Sequence, residues 1–166
     1  MEPVEPFTIA TVPLASGGRI GISRIPGRSG AYDADLRTIR DWGADVVVSM
    51  TDTFEMEARG CSDLGLRLAS MGIGWFHLPV RDLGGPSGSN ASSWPTISDS
   101  LHALLDRGGA VLVHCHGGHG RSGMVALRLL VERGEEPQAA LRRIRLVRPG
   151  AVQSEAQFLW AASATG

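Results

Sequence analysis

The stretch Val111-Leu112-Val113-His114-Cys115-His116-Gly117-Gly118-His119-Gly120-Arg121-Ser122-Gly123-Met124 constrains this chain more than any other. An apolar, β-type run from Ala110 to Val113 delivers a cysteine into a glycine-dense loop, and Arg121 opens a helical pattern that continues to about Arg133. Strand, loop and helix start thus meet at one thiol. Gly117, Gly118 and Gly120 allow successive amide N–H groups to converge on one point, and such a nest binds an anion. The positive end of the helix dipole and the Arg121 guanidinium, which matches phosphate oxygens in a fork, act in the same direction. The same field favours the thiolate of Cys115, the nucleophilic form of a cysteine. A zinc site is the rival reading, because His114, Cys115, His116 and His119 are all possible ligands. A divalent cation would then sit at a positive helix end beside an arginine, where electrostatics favour an anion, so no metal and no cofactor is expected.

The remaining sequence alternates strands and helices. Phe7 to Leu14 and Arg19 to Ile25 read as strands joined by a turn at Ser16-Gly17-Gly18, followed by a loop over Pro26-Gly27-Arg28-Ser29-Gly30. Asp33 or Asp35 is expected to cap a helix carrying Leu36, Ile39 and Trp42, which Gly43 ends. Asp45 to Met50 is a β-branched run of the kind covered on both faces. Thr51 to Glu57 reads as a polar loop, Asp63 to Met71 as a helix and Trp75 to Val80 as a strand. Arg81 to Ser93 is a long loop of the functional or mobile kind. Pro95 opens a helix running to Gly108, and Pro137–Val147 and Ser154–Ala164 are two more, joined by Arg148-Pro149-Gly150. The pattern predicts an α/β three-layer sandwich: a mostly parallel central sheet of four to five strands with helices on both faces. The loops after Met50, Val80 and Val113 then share the carboxyl ends of the strands, where such sheets bind ligands.

With 166 residues, 43% of them hydrophobic, the chain is long enough for a single domain, residues 1–166, to bury its own core. The net charge of −1 gives no footprint for nucleic acid or a membrane surface. All sixteen basic residues are arginine, a bias that suggests a GC-rich, bacterial genome. Cys61 and Cys115 are the only cysteines, too few for a disulfide framework and consistent with a reducing compartment. The acidic, proline-broken start from Met1 to Pro6 does not read as a signal peptide, and no apolar run approaches the roughly 20 residues of a membrane span. A soluble, cytoplasmic monomer is expected.

Cys115 and Arg121, separated by five residues, with His114 before the cysteine and Ser122 after the arginine, resemble the Cys-x5-Arg loop of the cysteine-dependent protein tyrosine and dual-specificity phosphatases. The segment Leu78-Pro79-Val80-Arg81-Asp82-Leu83-Gly84-Gly85-Pro86 resembles the general-acid loop of the small dual-specificity members, especially the kinase-associated phosphatase type. Arg148 to Gln157 resembles the family segment whose paired glutamines position the hydrolytic water. The resemblance covers about Ile20 to Leu159 and implies a phosphomonoester hydrolase working through a phosphocysteine. Cys115 would be the nucleophile, Arg121 and the amides of His116, Gly117, Gly118, His119 and Gly120 the phosphate ligands, and Asp82 the general acid. Ser122 would hydrogen-bond the sulfur, Gln153 and Gln157 would serve hydrolysis, and His114 would brace the loop.

Phosphoinositide-cleaving members carry lysines where His116 and His119 stand, so protonation of these histidines would favour a polyanion. Phe54 can stack on a phenyl ring. The substrate is therefore a phosphorylated protein or a small, multiply phosphorylated molecule. A phosphate-binding pseudophosphatase and a rhodanese-like sulfurtransferase are the readings from other classes.

Overall fold

The computed structural model describes residues 6–164; Met1 to Glu5, on which most of the reading of the N-terminal segment rests, lie outside the described residues. Five strands form one sheet in the order β1-β2-β5-β3-β4. They are β1 (Ala10–Pro13), β2 (Arg19–Ser23), β3 (Val46–Ser49), β4 (Gly74–His77) and β5 (Ala110–His114). Only β1 runs antiparallel, at the edge beside β2; β2 and β3 flank β5 in parallel, with Val113 beside Ile22 and Val48. The expected α/β sandwich with a mostly parallel sheet is the fold of the chain.

Strand alternation divides the core between two faces. Val111 and Val113 join Ile20, Ile22, Val46 and Val48 in one cluster, against α4 (Gly88–Asp106), α5 (Gly120–Glu132), α6 (Pro137–Val147) and α7 (Glu155–Ala162). Leu112 and Val47 face the other way, toward α1 (Tyr32–Trp42), α2 (Thr53–Ala58) and α3 (Leu64–Ser70). β5 is buried along its whole length, and that fixes the depth at which Cys115 emerges. Among the described residues no helix is long and apolar enough to cross a membrane.

Three local expectations are corrected. Neither Asp33 nor Asp35 caps α1: Ala31 holds that position, Asp33 pairs with Arg67 at 2.6 Å, and buried Asp35 accepts the Gly27 N–H at 2.8 Å. The segment Thr51 to Glu57 is not simply a loop. It contains α2, closed by a capping box in which the Asp52 side chain accepts from the Glu55 N–H and the Glu55 side chain accepts from the Asp52 N–H. The long loop is shorter than expected, because α4 begins at Gly88 and Pro95 lies inside it. Tertiary contacts outweigh the weak helix propensity of this Ser-rich segment: Asn90 donates to the Pro79 carbonyl at 2.7 Å, and Trp94 is buried edge-on against Trp160.

α4 is locked to α5 through Glu132. Its carboxylate accepts from Trp94 Nε1 (3.0 Å), Ser98 Oγ (2.6 Å) and Arg128 Nε (2.9 Å), and lies 3.0 Å from His102 Nε2. Burial pushes the Glu132 pKa up, but these four partners outweigh it and leave the pKa at about 2. A carboxylate depressed on folding stabilises fully above its unfolded value, and the stabilisation drains as pH falls through the folded value. Glu132→Gln is therefore expected to cost about 1–3 kcal/mol at pH 7. The gap from wild type, read from urea midpoints, should narrow from about pH 4.5 toward 3, and a gap independent of pH would contradict the ionic assignment.

Candidate active site

β5 ends at His114, and the loop that follows is held from outside by its own carbonyls. His116 O accepts from Ile25 N at 3.1 Å, Gly117 O from Arg148 Nη2 at 2.9 Å and Gly118 O from Arg148 Nε at 2.7 Å. In a planar trans peptide the N–H points opposite the carbonyl, so the amides of Gly117, Gly118 and His119 turn to the inside of the loop. Gly118, at φ +75, lies so close to β2 that a Cβ there would meet Arg24 N at 2.6 Å. α5 starts at Gly120, directly after these amides.

Cys115 is 3% exposed, and its Sγ lies 3.2 Å from Ser122 Oγ. The thiol opens into a cleft of about 540 Å³ that Arg28, Glu55, Asp82, His116, His119, Arg121 and Gln153 also line. Arg121 is 2% exposed. Its Nη1 and Nη2 clamp the two Glu55 carboxylate oxygens at 2.7 and 2.8 Å, and Nη1 also reaches Val80 O at 3.1 Å. The guanidinium has five N–H donors. The edge left for an anion is therefore that of Nε, which has no hydrogen-bond partner among the described residues and stands 3.9 Å from Asp82 Oδ1.

Glu55 did not figure among the residues picked from the sequence. Burial pushes its pKa up, but the bond from Arg121, the Asp52 N–H and the Arg121 charge hold it below the ordinary glutamate range. The readable signal was Asp52-Thr53-Phe54-Glu55, a capping-box spacing that marks a helix start and turns the Glu55 carboxylate back toward the strand ends.

Asp82 sits at the mouth of the cleft with its side chain 72% exposed, accepting from the Leu83 N–H at 3.0 Å. Gln153 lines the cleft, whereas Gln157 is fully buried and accepts the Gln153 N–H at 2.8 Å. Both amides rest on Gly120, where a Cβ would approach Gln153 Oε1 to 2.6 Å. Phe54 is 77% exposed on α2 and is not among the residues lining the cleft. Among the described residues no three His, Cys, Asp or Glu side chains converge as a metal site.

His114 lies behind the loop, fully buried. A relay runs from Trp75 Nε1 to Ser49 Oγ (2.8 Å), on to His114 Nε2 (2.6 Å), and from His114 Nδ1 to Cys115 O (3.3 Å). Burial lowers the His114 pKa to about 4, with the Cys115 carbonyl opposing and the Arg121 charge assisting. The unfolded chain, titrating near about 6.5, takes up a proton that the folded state refuses. Stability held in full above about 6.5 should thus fall toward pH 4, by up to about 1.4 kcal/mol per pH unit. Chemical denaturation across pH 7.5 to 4.5 should show a shallower slope for His114→Asn than for wild type; equal slopes would remove His114 as the source.

Residues 20–135 match the family described as polymorphic toxin system, DSP-PTPase phosphatase. Over 90 residues the chain is 38% identical to cyclin-dependent kinase inhibitor 3 of Rattus norvegicus, a match covering 52% of this chain and 41% of that protein. The Mus musculus protein of the same name is 28% identical over 171 residues, covering 95% and 80%. The crystal structure of kinase-associated phosphatase is similar in fold, with a TM-score of 0.81 at 24% identity over 95% of this chain and 93% of that one. The chain belongs to the cysteine-dependent dual-specificity and protein tyrosine phosphatases, within the DSP-PTPase phosphatase family of polymorphic toxin systems.

Proposed function

We propose that this chain is a phosphomonoester hydrolase working through a phosphocysteine, with Cys115 as nucleophile. The observation that carries the reading is the Cys115 sulfur at the floor of a cleft where inward-turned amides, Ser122 and the free edge of Arg121 meet. The thiolate attacks phosphorus, and an S–P bond forms as the P–O bond to the leaving group breaks. The loop amides and the Arg121 Nε edge hold the equatorial oxygens, which carry charge in the transition state. Asp82, at the open mouth, passes its proton to the departing oxygen.

In the second half, Gln153 orients a water and Asp82, now a carboxylate, takes its proton as oxygen bonds to phosphorus. Sulfur leaves as the thiolate, assisted by the Ser122 hydroxyl. Gln157 acts one step back, by fixing the Gln153 backbone. Residues 1–166 are read as one phosphatase domain, since both core clusters share a single sheet. Both cysteines are free and buried, in keeping with a reducing, cytoplasmic setting.

Release of phosphate from para-nitrophenyl phosphate, with thiosulfate sulfur transfer measured beside it, tests the reaction class. Cys115→Ser should abolish hydrolysis and retain phosphate affinity, because a serine hydroxyl is too weakly acidic to become the nucleophile here. Turnover within tenfold of wild type would sink the covalent mechanism.

Asp82→Asn should lower kcat by roughly 10²- to 10⁴-fold on substrates with poor leaving groups. An activated aryl phosphate, which needs less protonation, should lose much less. Equal losses on both substrates would take the acid role away from Asp82.

A further inference from the structure

One wall of the cleft carries more positive charge than a single phosphate uses. Arg28, on the turn between β2 and α1, lines the cleft with Cys115 and His116. Its Nη1 lies 3.7 Å from where a Cβ on Gly117 would stand, so the guanidinium rests against the loop although the residue is exposed. Among the described residues no carboxylate is paired with it. Arg59, at the C-terminal end of α2, donates from Nε to His116 Nε2 at 3.1 Å.

Contacts within the fold set the spacing of these groups. Asp35 holds the Gly27 N–H, and a Cβ on Gly27 would sit 3.1 Å from the Arg59 carbonyl, so the turn bearing Arg28 abuts the end of α2. Because Arg59 donates to Nε2, the neutral His116 ring keeps its proton on Nδ1. Burial lowers the His116 pKa, and Arg28, Arg59 and Arg121 lower it further, while Glu55 opposes them. Glu55 is already clamped bidentately by Arg121. The remaining carboxylate lining the cleft, Asp82, stands against the Arg121 Nε edge. Two arginines and a protonatable ring thus crowd together without an anion of their own, an arrangement that a bound dianion relieves.

We propose that Arg28, Arg59 and His116 form a second anion subsite beside the Cys115 loop, and that the physiological substrate is a compact molecule with a second phosphate near the one hydrolysed. This rests on the phosphatase reading above and names its substrate class. Because Arg28 lines the same cavity as Cys115, the two phosphates must be close, as on neighbouring carbons of a polyol. The arginines carry the preference at neutral pH. The histidines alone, by contrast, would supply one only as pH falls, and the lowered His116 pKa moves that onset further into acid.

The test compares kcat/KM for an inositol monophosphate, an inositol bisphosphate with adjacent phosphates, the same bisphosphate headgroup on a lipid in phosphatidylcholine vesicles, and a doubly phosphorylated peptide. Wild type should favour the bisphosphates over the monophosphate by about tenfold or more at pH 7.5, one tenfold step being the scale of a single charge-assisted contact. The double variant Arg28→Gln with Arg59→Gln should lose that preference through KM and hydrolyse the monophosphate within about threefold of wild type. Faster turnover of the soluble or of the vesicle-borne form assigns the second phosphate to a free polyol or to a lipid headgroup. A preference that appears only near pH 6, an equal loss on mono- and bisphosphate, or a preference confined to the peptide overturns the proposal. Calorimetric binding of the bisphosphate and of inorganic phosphate to the Cys115→Ser protein separates the two readings. Tighter bisphosphate binding that needs Arg28 and Arg59, with no turnover by wild type, would reject the phosphatase and keep the subsite.

Discussion

The architecture of the site depends on burying the Arg121 guanidinium at the carboxyl ends of the strands. A buried, unpaired guanidinium would cost several kcal/mol, and Glu55 meets it with two oxygens while the Val80 carbonyl takes a third bond. This one group therefore ties the segment after β4, the capped start of α2 and the first turn of α5 to a common point. The ion pair also orients what it stabilises. With Nη1 and Nη2 bound to Glu55, the Nε edge is left on the side of Asp82, so the fold itself sets the orientation of the guanidinium.

A second economy lies in the loop that follows β5. Turning amides inward leaves carbonyls pointing out, and buried carbonyls without partners would oppose the fold. Ile25 from the β2 segment and Arg148 after α6 supply the donors. An arginine far along the chain thereby becomes part of the loop's scaffold, though it never faces the cleft. His114 completes the support from behind, where its imposed neutrality keeps Nε2 available to accept from Ser49.

Elements whose signal is local were legible in the sequence. The run Ala110 to Val113 alternates between two cores, as a central parallel strand must, and the glycines with Cys115 and Arg121, set between that strand and a helical pattern, announced the loop. Interactions set by tertiary approach were not legible. Asp35 looks like a cap but turns to the Gly27 amide, and Pro95 looks like a helix start although Trp94 and Asn90 extend α4 back to Gly88. The segment Thr51 to Glu57 is polar because one face of α2 meets solvent, and polarity hid the carboxylate on its other side. Arg28 and Arg59 read as ordinary surface charges, since no sequence pattern shows that two turns distant in the chain abut.

Backbone strain marks where the loops converge. Among the described residues, the two non-glycine residues with positive φ are Leu83 at 64° and Val152 at 66°, each immediately beside a proposed functional residue, Asp82 and Gln153. Such a conformation costs of order 1–3 kcal/mol for a side chain with a Cβ and persists where surrounding bonds over-determine it. Here the bonds are visible. The Ser154 hydroxyl donates to Leu83 O at 2.6 Å and accepts the Gln157 N–H at 3.2 Å, while Arg145 holds the carbonyls of Ala151 and Val152. One serine thus joins the loop that bears Asp82 to the start of α7, the helix that carries Gln157. Leu83 is pinned by Ser154 and Val152 by Arg145 and by its own N–H to the His119 carbonyl, so each strained residue is held by bonds from the segments packed beside it.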